Sequence, residues 1–244
     1  MGRHVGRQTK DNDSKPRSRD PQLTEAVGAN AESASESLVR SKQRVVDHGE
    51  VFTPSWLVQS MLDLVKSESE RIDARFLEPA CGSGNFLTEV LSRKLQTVHR
   101  RYGKSSFEQA NYSLLAVMSI YGIEILLDNV EECRLHLQAV LNHHCRNNPR
   151  IAELQAASAV VLESNIVHAD ALTMSTTEGN PIVFPEWGYL GKGNFQRRDF
   201  EYESLTMSSH FSEEGTLFEN LSRHEIFTPI RVYPVLKMGD IANG

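Results

Sequence analysis

The chain has 244 residues, of which 39% are hydrophobic, and this is enough to bury the core of one α/β domain with appendages. No apolar run reaches about 18 residues and the N-terminus has no apolar signal region, so we expect no transmembrane helix and no secretory signal. The net charge of −6 counts against strong DNA binding by this chain alone, but it leaves room for a local basic face or a basic partner. Three widely spaced cysteines (Cys81, Cys133 and Cys145) predict no disulfide framework and favour a reducing cytoplasm.

The chain divides into three predicted regions. Residues 1–40 are polar and charged with few large apolar residues, which is typical of a disordered tail. Order is predicted to begin near Ser41, and residues 41–190 are predicted to form the domain. Residues 191–244 show a weaker pattern and are predicted to be an extension that completes or flanks the sheet with one or two strands.

The first helix is predicted just after a Thr-Pro pair. Thr53 is a suitable N-cap and Pro54 suits the first helical position. Apolar residues then recur at helical spacing and are expected to form the buried face of this helix: Leu57, Met61, Leu64 and Val65.

A strand, a glycine turn and a helix follow in immediate succession. The strand is predicted at residues 75–78, the turn at Gly82-Ser83-Gly84 and the helix at residues 86–101. Glycine lets the backbone approach a ligand that a Cβ would exclude, and the start of the helix presents free N–H groups. This succession predicts the first unit of a doubly wound, mostly parallel α/β sheet.

The rest of the domain alternates between strands and helices. A partly helical connection is predicted at residues 102–118, and a second strand at 120–125 is followed by a helix that Asp128 caps. Further predictions are a helix at 151–162, a strand at 165–168 that ends near Asp170, a polar loop at 175–180 and a fourth strand at 181–184.

Two sequence motifs resemble those of one enzyme family. Residues 76–87 read Phe-Leu-Glu-Pro-Ala-Cys-Gly-Ser-Gly-Asn-Phe-Leu, and residues 48–54 read His-Gly-Glu-Val-Phe-Thr-Pro. In this order and spacing they resemble the N6-adenine DNA methyltransferases of restriction–modification systems. The resemblance implies a Rossmann-like methyltransferase fold, S-adenosylmethionine as cofactor and methyl transfer to N6 of adenine in DNA.

The resemblance also implies how the upstream segment and the glycine turn hold the methionine end of the cofactor. The segment with Thr53 would fold over that end, and Glu78 would lie near the amino group. Asn85 either binds the carboxylate of the cofactor or is only a helix cap. The turn itself would face the methionine moiety through backbone atoms of Ala80, Gly82 and Gly84.

The adenosine end is implied to lie at the ends of the second and third strands. Glu124 would accept hydrogen bonds from two ribose hydroxyls, although an acidic residue at a strand end is often only solvated. Ile125 would pack on the adenine. The Asp170-Ala171-Leu172 segment would bind its other side, with the Asp170 carboxylate accepting from the exocyclic amine and Leu172 covering the ring.

The sequence departs from the family at the catalytic loop. Family members carry Asn-Pro-Pro-Tyr after the fourth strand, where polar acceptors bind the amine of a flipped adenine and the aromatic stacks on it. Asn180-Pro181 precedes the predicted strand and would therefore lie at the wrong edge of the sheet. Phe184 to Trp187 follows that strand, and Pro185, Glu186 and Trp187 are the catalytic candidates. Phe184 accepts no hydrogen bond, and Trp187 stacks on a base or belongs to the core.

Three functions remain open at this stage. The first is the modification subunit of a restriction–modification system, which would need a partner for DNA recognition and could work with a restriction nuclease. The second is a non-catalytic cofactor-binding subunit that regulates or scaffolds such a partner, and the third is a methyltransferase for a small molecule or protein. We expect no metal site, because the histidines and cysteines lack zinc spacing.

Overall fold

The structure is a computed structural model that describes residues 1–2, 44, 46, 51, 53–203 and 228–243. The chain divides into two compact units, Met1–Val51 and Phe52–Gly244. Nearly all of the predicted tail, residues 3–40, lies outside the described residues, and so do four positions of the upstream motif (48–50 and 52). The boundaries proposed for the domain and its extension therefore stay predictions.

Three parallel strands form the centre of the second unit. β1 (Phe76–Glu78), β2 (Ile120–Glu124) and β3 (Ile166–Asp170) lie side by side in chain order, and β4 (Ser175–Thr176) pairs antiparallel with β3. Glu78 is in register with Gly122, and Glu124 with His168, so the strands end at a common carboxyl edge. The mixed α/β architecture with a parallel sheet confirms the predicted Rossmann-like methyltransferase fold class.

Along the chain, helices precede, connect and follow the parallel strands. The described residues form α1 (Ser55–Leu64), α2 (Lys66–Ser69), α3 (Asn85–Tyr102), α4 (Ser106–Met118), α5 (Leu127–Cys145), α6 (Ile151–Asn165) and α7 (Met238–Ile241). None of the helices among the described residues is long and apolar enough to cross a membrane.

Side chains alternate along a strand, so neighbouring residues of one strand belong to different apolar clusters on the two faces of the sheet. Ile120 and Ile166 belong to the main core, together with the apolar faces of α3, α4, α5 and α6. Tyr121 and Ile123 belong to a smaller second cluster that contains Phe184. The apolar face of α3 is buried in this core, since Leu87, Val90, Leu91 and Leu95 are buried and Phe86 packs against the cluster.

The fourth strand predicted at residues 181–184 is confirmed only in part, because it begins at Val183 and lies outside the parallel sheet. Residues 183–191 instead form β5 (Val183–Gly191), which pairs antiparallel with β6 (Asn194–Glu201) along its length. β6 also pairs with β7 (Arg231–Val232) and β8 (Leu236–Lys237). The cause is the tight turn at Lys192-Gly193, where φ is 53° and 75°, because a two-residue turn with positive φ reverses the chain into a hairpin.

The buried face predicted for α1 is also wrong. The helix begins at Ser55 with Pro54 as N-cap, and no side chain caps it. Val58 and Leu62 are buried, whereas the four residues predicted to be buried are exposed: Leu57, Met61, Leu64 and Val65. The pairs 57/61 and 58/62 have the same helical spacing, so only packing against α3 selects between them.

Candidate functional site

The carboxyl edge of the parallel sheet brings together three acidic residues and the glycine turn. Glu78, Glu124 and Asp170 are the last residues of β1, β2 and β3. The turn between β1 and α3 lies beside them, because the Cys81 amide donates to the Ile123 carbonyl at 3.0 Å. In parallel α/β sheets this edge is where ligands bind.

The glycine turn is closely packed against α5. Gly84 has φ +88°, and a Cβ at this position would lie 2.7 Å from the Cys133 Sγ, so a larger residue would be both strained and obstructed. Gly84 is the N-cap of α3, and the predicted cap, Asn85, is instead its first residue and is exposed. Ala80 is exposed as well, so the outer side of the turn is open to a ligand.

Glu124 is buried and holds the turn in place. Its Oε2 accepts from the Gly82 amide at 2.8 Å, and its Oε1 accepts from the Leu126 amide at 2.9 Å. A carboxylate offers about four lone-pair positions, so each oxygen keeps capacity for a further donor. Glu124 therefore supports the turn and remains available to hydroxyl groups.

Glu78 is half-buried, and its Oε2 has no hydrogen-bond partner. Burial, and secondly the charge of Glu124, raise the pKa of Glu78 to about 8. A buried polar atom without a partner is uncommon, and a carboxyl group with a raised pKa in an open site is typical of a functional position. The Oε2 of Glu78 is therefore a buried acceptor to which the described residues supply no donor.

Exposed apolar side chains flank the acidic residues. Ile125 is 50% exposed and Leu172 is 94% exposed. The Asp170 Oδ1 accepts from the Leu172 amide at 2.8 Å, and Ala171 packs against the second cluster. These residues provide apolar surface for a ring next to a carboxylate.

The structure does not tie Thr53 to the turn. Thr53 is half-buried, lies just before α1 and forms no hydrogen bond with the other described residues. Its predicted role as a helix cap is wrong, because Pro54 is the N-cap. Its predicted role beside a cofactor stays a prediction.

The sequence predicts the catalytic candidates just after a strand of the sheet. In the structure they lie within β5. The Pro185 carbonyl accepts from the Tyr121 hydroxyl at 2.8 Å, and Glu186 forms ion pairs with Arg75 and Arg198. The Trp187 Nε1 donates to the Asn165 Oδ1 at 3.1 Å, and the ring packs against the main core.

Two of these partners show which edge of the sheet the segment occupies. Arg75 and Asn165 precede β1 and β3, so Glu186 and Trp187 lie at the amino edge, away from the glycine turn. Phe184 is buried, with its ring edge-on to Tyr121 and Tyr202. Trp187 is half-buried, so part of this residue remains accessible.

Two residues of α5 that no sequence motif indicates support the turn. His136 lies within hydrogen-bond distance of the Ser83 carbonyl, at 2.8 Å from its Nδ1, and Cys133 contacts the Gly84 backbone. The two residues are three apart on the helix that follows Glu124, and this spacing places them on one face. Among the described residues no group of three His, Cys, Asp or Glu side chains is arranged to hold a metal ion.

Comparison with known proteins gives one match. The family model described as MmeI, DNA-methyltransferase domain, matches residues 57–182, which is 126 of the 244 residues. The matched region contains β1, the glycine turn, Glu124 and Asp170. No curated protein and no solved structure matches the chain.

Proposed function

This chain belongs to the family of MmeI DNA-methyltransferase domains, and on that premise we propose that it binds S-adenosylmethionine and methylates adenine N6 in DNA as part of a restriction–modification system. The observation that supports this most directly is the carboxyl edge itself. There a buried glutamate holds a glycine turn, and a second glutamate has a carboxylate oxygen without a partner.

The methionine end of the cofactor fits the turn and Glu78. The Glu78 carboxylate would accept from the ammonium group, which supplies the donor that its Oε2 lacks. Gly82 is half-buried in the turn and has no side chain to keep the methionine moiety away from its backbone, whereas Gly84 is required by its packing against Cys133. The start of α3 presents N–H groups that suit the carboxylate of the cofactor.

The adenosine end fits the ends of β2 and β3. The remaining lone pairs of Glu124 would accept from the two ribose hydroxyls. Ile125 and Leu172 would cover the two faces of the adenine ring. The Asp170 Oδ2 accepts no hydrogen bond from the described residues and is available to the exocyclic amine.

When bound, S-adenosylmethionine supplies an electrophilic methyl group. The target adenine must leave the DNA helix to reach it, and its amine must be held by hydrogen-bond acceptors. Phe184 to Trp187 are unsuited to this task at the amino edge. We therefore propose that the acceptors, like DNA recognition, come from outside the described residues, for example from a recognition subunit or nuclease partner.

A second candidate function is a cofactor-binding subunit without methyl transfer of its own. The placement of the Phe184 segment favours it, because Phe184 is buried and Glu186 is engaged by two arginines. Such a subunit would bind S-adenosylmethionine and regulate or scaffold a partner methyltransferase or nuclease.

Tritiated S-adenosylmethionine and mixed-sequence DNA distinguish the two candidates. We expect label in DNA, recovered as N6-methyladenine after digestion to nucleosides, when the chain is supplied with the proteins encoded beside its gene. The matched control is the same mixture with the Glu124→Ala chain. Cofactor binding without label in any mixture would favour the regulatory subunit, and the absence of cofactor binding would contradict both candidates.

Cofactor affinity is expected to depend on pH through Glu78. Because its pKa is about 8 without ligand, Glu78 must release a proton to pair with an ammonium group. Between pH 6 and 7.5 we expect the association constant to rise roughly tenfold per pH unit. Calorimetry in two buffers with different ionisation enthalpies measures both the affinity and the released proton.

The variant Glu78→Gln is the control for this prediction. It keeps the size of the side chain and removes the titrating proton, so binding should be weaker and nearly independent of pH over the same range. A wild-type chain that binds the cofactor without releasing a proton would show that Glu78 does not contact the ammonium group.

A further inference from the structure

A cavity of about 380 Å³ lies at the amino edge of the parallel sheet, away from the glycine turn. Its walls come from the segment before β1, the end of α3, one face of α4 and the middle of β5. This volume is within the range of small-molecule sites in proteins. None of the residues proposed to bind the cofactor lines this cavity, whereas Trp187 of β5 does.

One side of the cavity is aromatic. The rings of Tyr102 and Tyr112 are stacked, with their centroids 3.8 Å apart and an angle of 3° between their planes. Tyr189 meets Tyr112 edge-on at 5.2 Å, and Trp187 lies beside it on β5. Flat aromatic surfaces of this kind bind planar bases by stacking, with little dependence on the identity of the base.

The cavity lining also contains cationic side chains. Three arginines line it (Arg71, Arg75 and Arg101), against a single acidic side chain, Asp73. Arg71 pairs with Glu68 and Asp73, and Arg75 pairs with Glu186. Arg101 is exposed and forms no ion pair or side-chain hydrogen bond with the described residues, so its guanidinium is available to an anion.

We propose that this cavity binds a nucleoside 5′-phosphate, either free or at the end of a DNA strand. The base would stack against Trp187 and the tyrosines. Arg101, with help from Arg71, would bind the phosphate, since a planar guanidinium binds phosphate oxygens in pairs. The parallel sheet separates this site from the glycine turn, so the bound base is a ligand and not the base that receives a methyl group.

Fluorescence of Trp187 provides a direct test, because the chain has only two tryptophans. In the full chain carrying Trp56→Phe, Trp187 is the only tryptophan, and a stacked base should quench it. Thymidine 5′-monophosphate is the probe, since thymine lacks the exocyclic amine that the proposed cofactor site would bind. We expect saturable quenching by the monophosphate. Thymidine, which lacks the phosphate, should bind at least about tenfold more weakly.

Neighbouring arginines give a matched pair of variants. Arg101→Ala should weaken binding of the nucleotide roughly tenfold, through loss of charge-assisted hydrogen bonds. Arg100→Ala removes the same charge one residue away, but Arg100 contacts Glu70 and Thr97 and does not line the cavity, so affinity should stay within about twofold.

A third variant is a control on the strand that lines the cavity. Gly188 lies between Trp187 and Tyr189, and side chains alternate along a strand, so a Cβ at Gly188 would point to the opposite face from these two rings. It would meet only the Gln196 carbonyl at 3.9 Å, so Gly188→Val should fold and change nucleotide affinity by no more than about twofold. Glu124→Ala should leave nucleotide binding unchanged, which separates this site from the proposed cofactor site.

The outcomes are distinct. Quenching by a 5′-phosphorylated oligothymidylate of eight nucleotides, as well as by the mononucleotide, would identify a DNA end as a ligand. Quenching by the mononucleotide alone would identify a free nucleotide. The proposal is overturned if neither probe quenches Trp187, if thymidine binds as tightly as its monophosphate, or if Arg100→Ala and Arg101→Ala have equal effects.

Discussion

Replacement of Glu124 by alanine is expected to weaken binding of S-adenosylmethionine on the order of 100-fold, because this side chain has two tasks. It accepts from the Gly82 amide at 2.8 Å and from the Leu126 amide at 2.9 Å, and these bonds hold the glycine turn against the end of β2. Its remaining lone pairs are those proposed for the ribose hydroxyls. Glu124→Ala removes both, and calorimetric titration of the cofactor measures the loss.

The control for this prediction is Glu131→Ala, which removes the same charge from an exposed position on α5. Thermal unfolding of each variant separates a loss of binding from a loss of fold. If Glu124→Ala does not fold, Glu124→Gln keeps the volume of the side chain but places an amide N–H₂ against a backbone N–H, so it should also bind weakly. Unchanged affinity in a folded Glu124 variant would contradict the proposed ribose contact.

Replacement of Lys94 by alanine is expected to lower the free energy of unfolding by about 3–5 kcal/mol. Lys94 is fully buried, and its Nζ donates to the carbonyls of Ile72 and Ala74 and to the Ser119 Oγ. It thereby links α3 to the segments that enter β1 and β2. Alanine would leave these acceptors without a donor and would open a cavity. Urea denaturation measures the change.

The pH dependence of stability provides a second measurement on Lys94. Burial lowers its pKa from 10.5 to about 7 in the folded chain, so the unfolded chain binds more protons between pH 7 and 10. The free energy of unfolding should therefore rise with pH across this window, by about 2 kcal/mol from pH 7 to 9. Lys94→Met fills the same space without titrating and should lack this rise. Parallel pH profiles of the wild-type chain and Lys94→Met would show that Lys94 is not the titrating group.

The sequence predicted the parallel part of the fold because its signals are local. An apolar run, a glycine turn and an amphipathic helix occur in direct succession between Phe76 and Tyr102, and the structure has β1, the turn and α3 there. Glu124 and Asp170 end predicted strands, and parallel pairing in register then brings them to one edge. The position of these carboxylates follows from strand order alone.

Other features were not predictable, since they depend on contacts between distant residues. The Phe184 segment has the composition of a loop after a parallel strand, but pairing with residues 194–201 makes it one strand of a hairpin. The buried face of α1 could not be chosen, because Val58/Leu62 and Leu57/Met61 are equally apolar at the same spacing. The sequence also could not show that the Oε2 of Glu78 has no hydrogen-bond partner, since this depends on which donors the fold brings near it.

The sequence by itself thus determined the α/β class, the positions of the three parallel strands in the chain and the residues that end them. Periodicity, glycine and strand-terminal acids act within a few residues and need no knowledge of the rest of the chain. Tertiary structure alone decided that Trp187 lies at the amino edge beside a cavity with Arg101 and that Cys133 and His136 support the glycine turn. Each of these placements depends on which distant surfaces pack together, and many sequences with the same local pattern could pack otherwise.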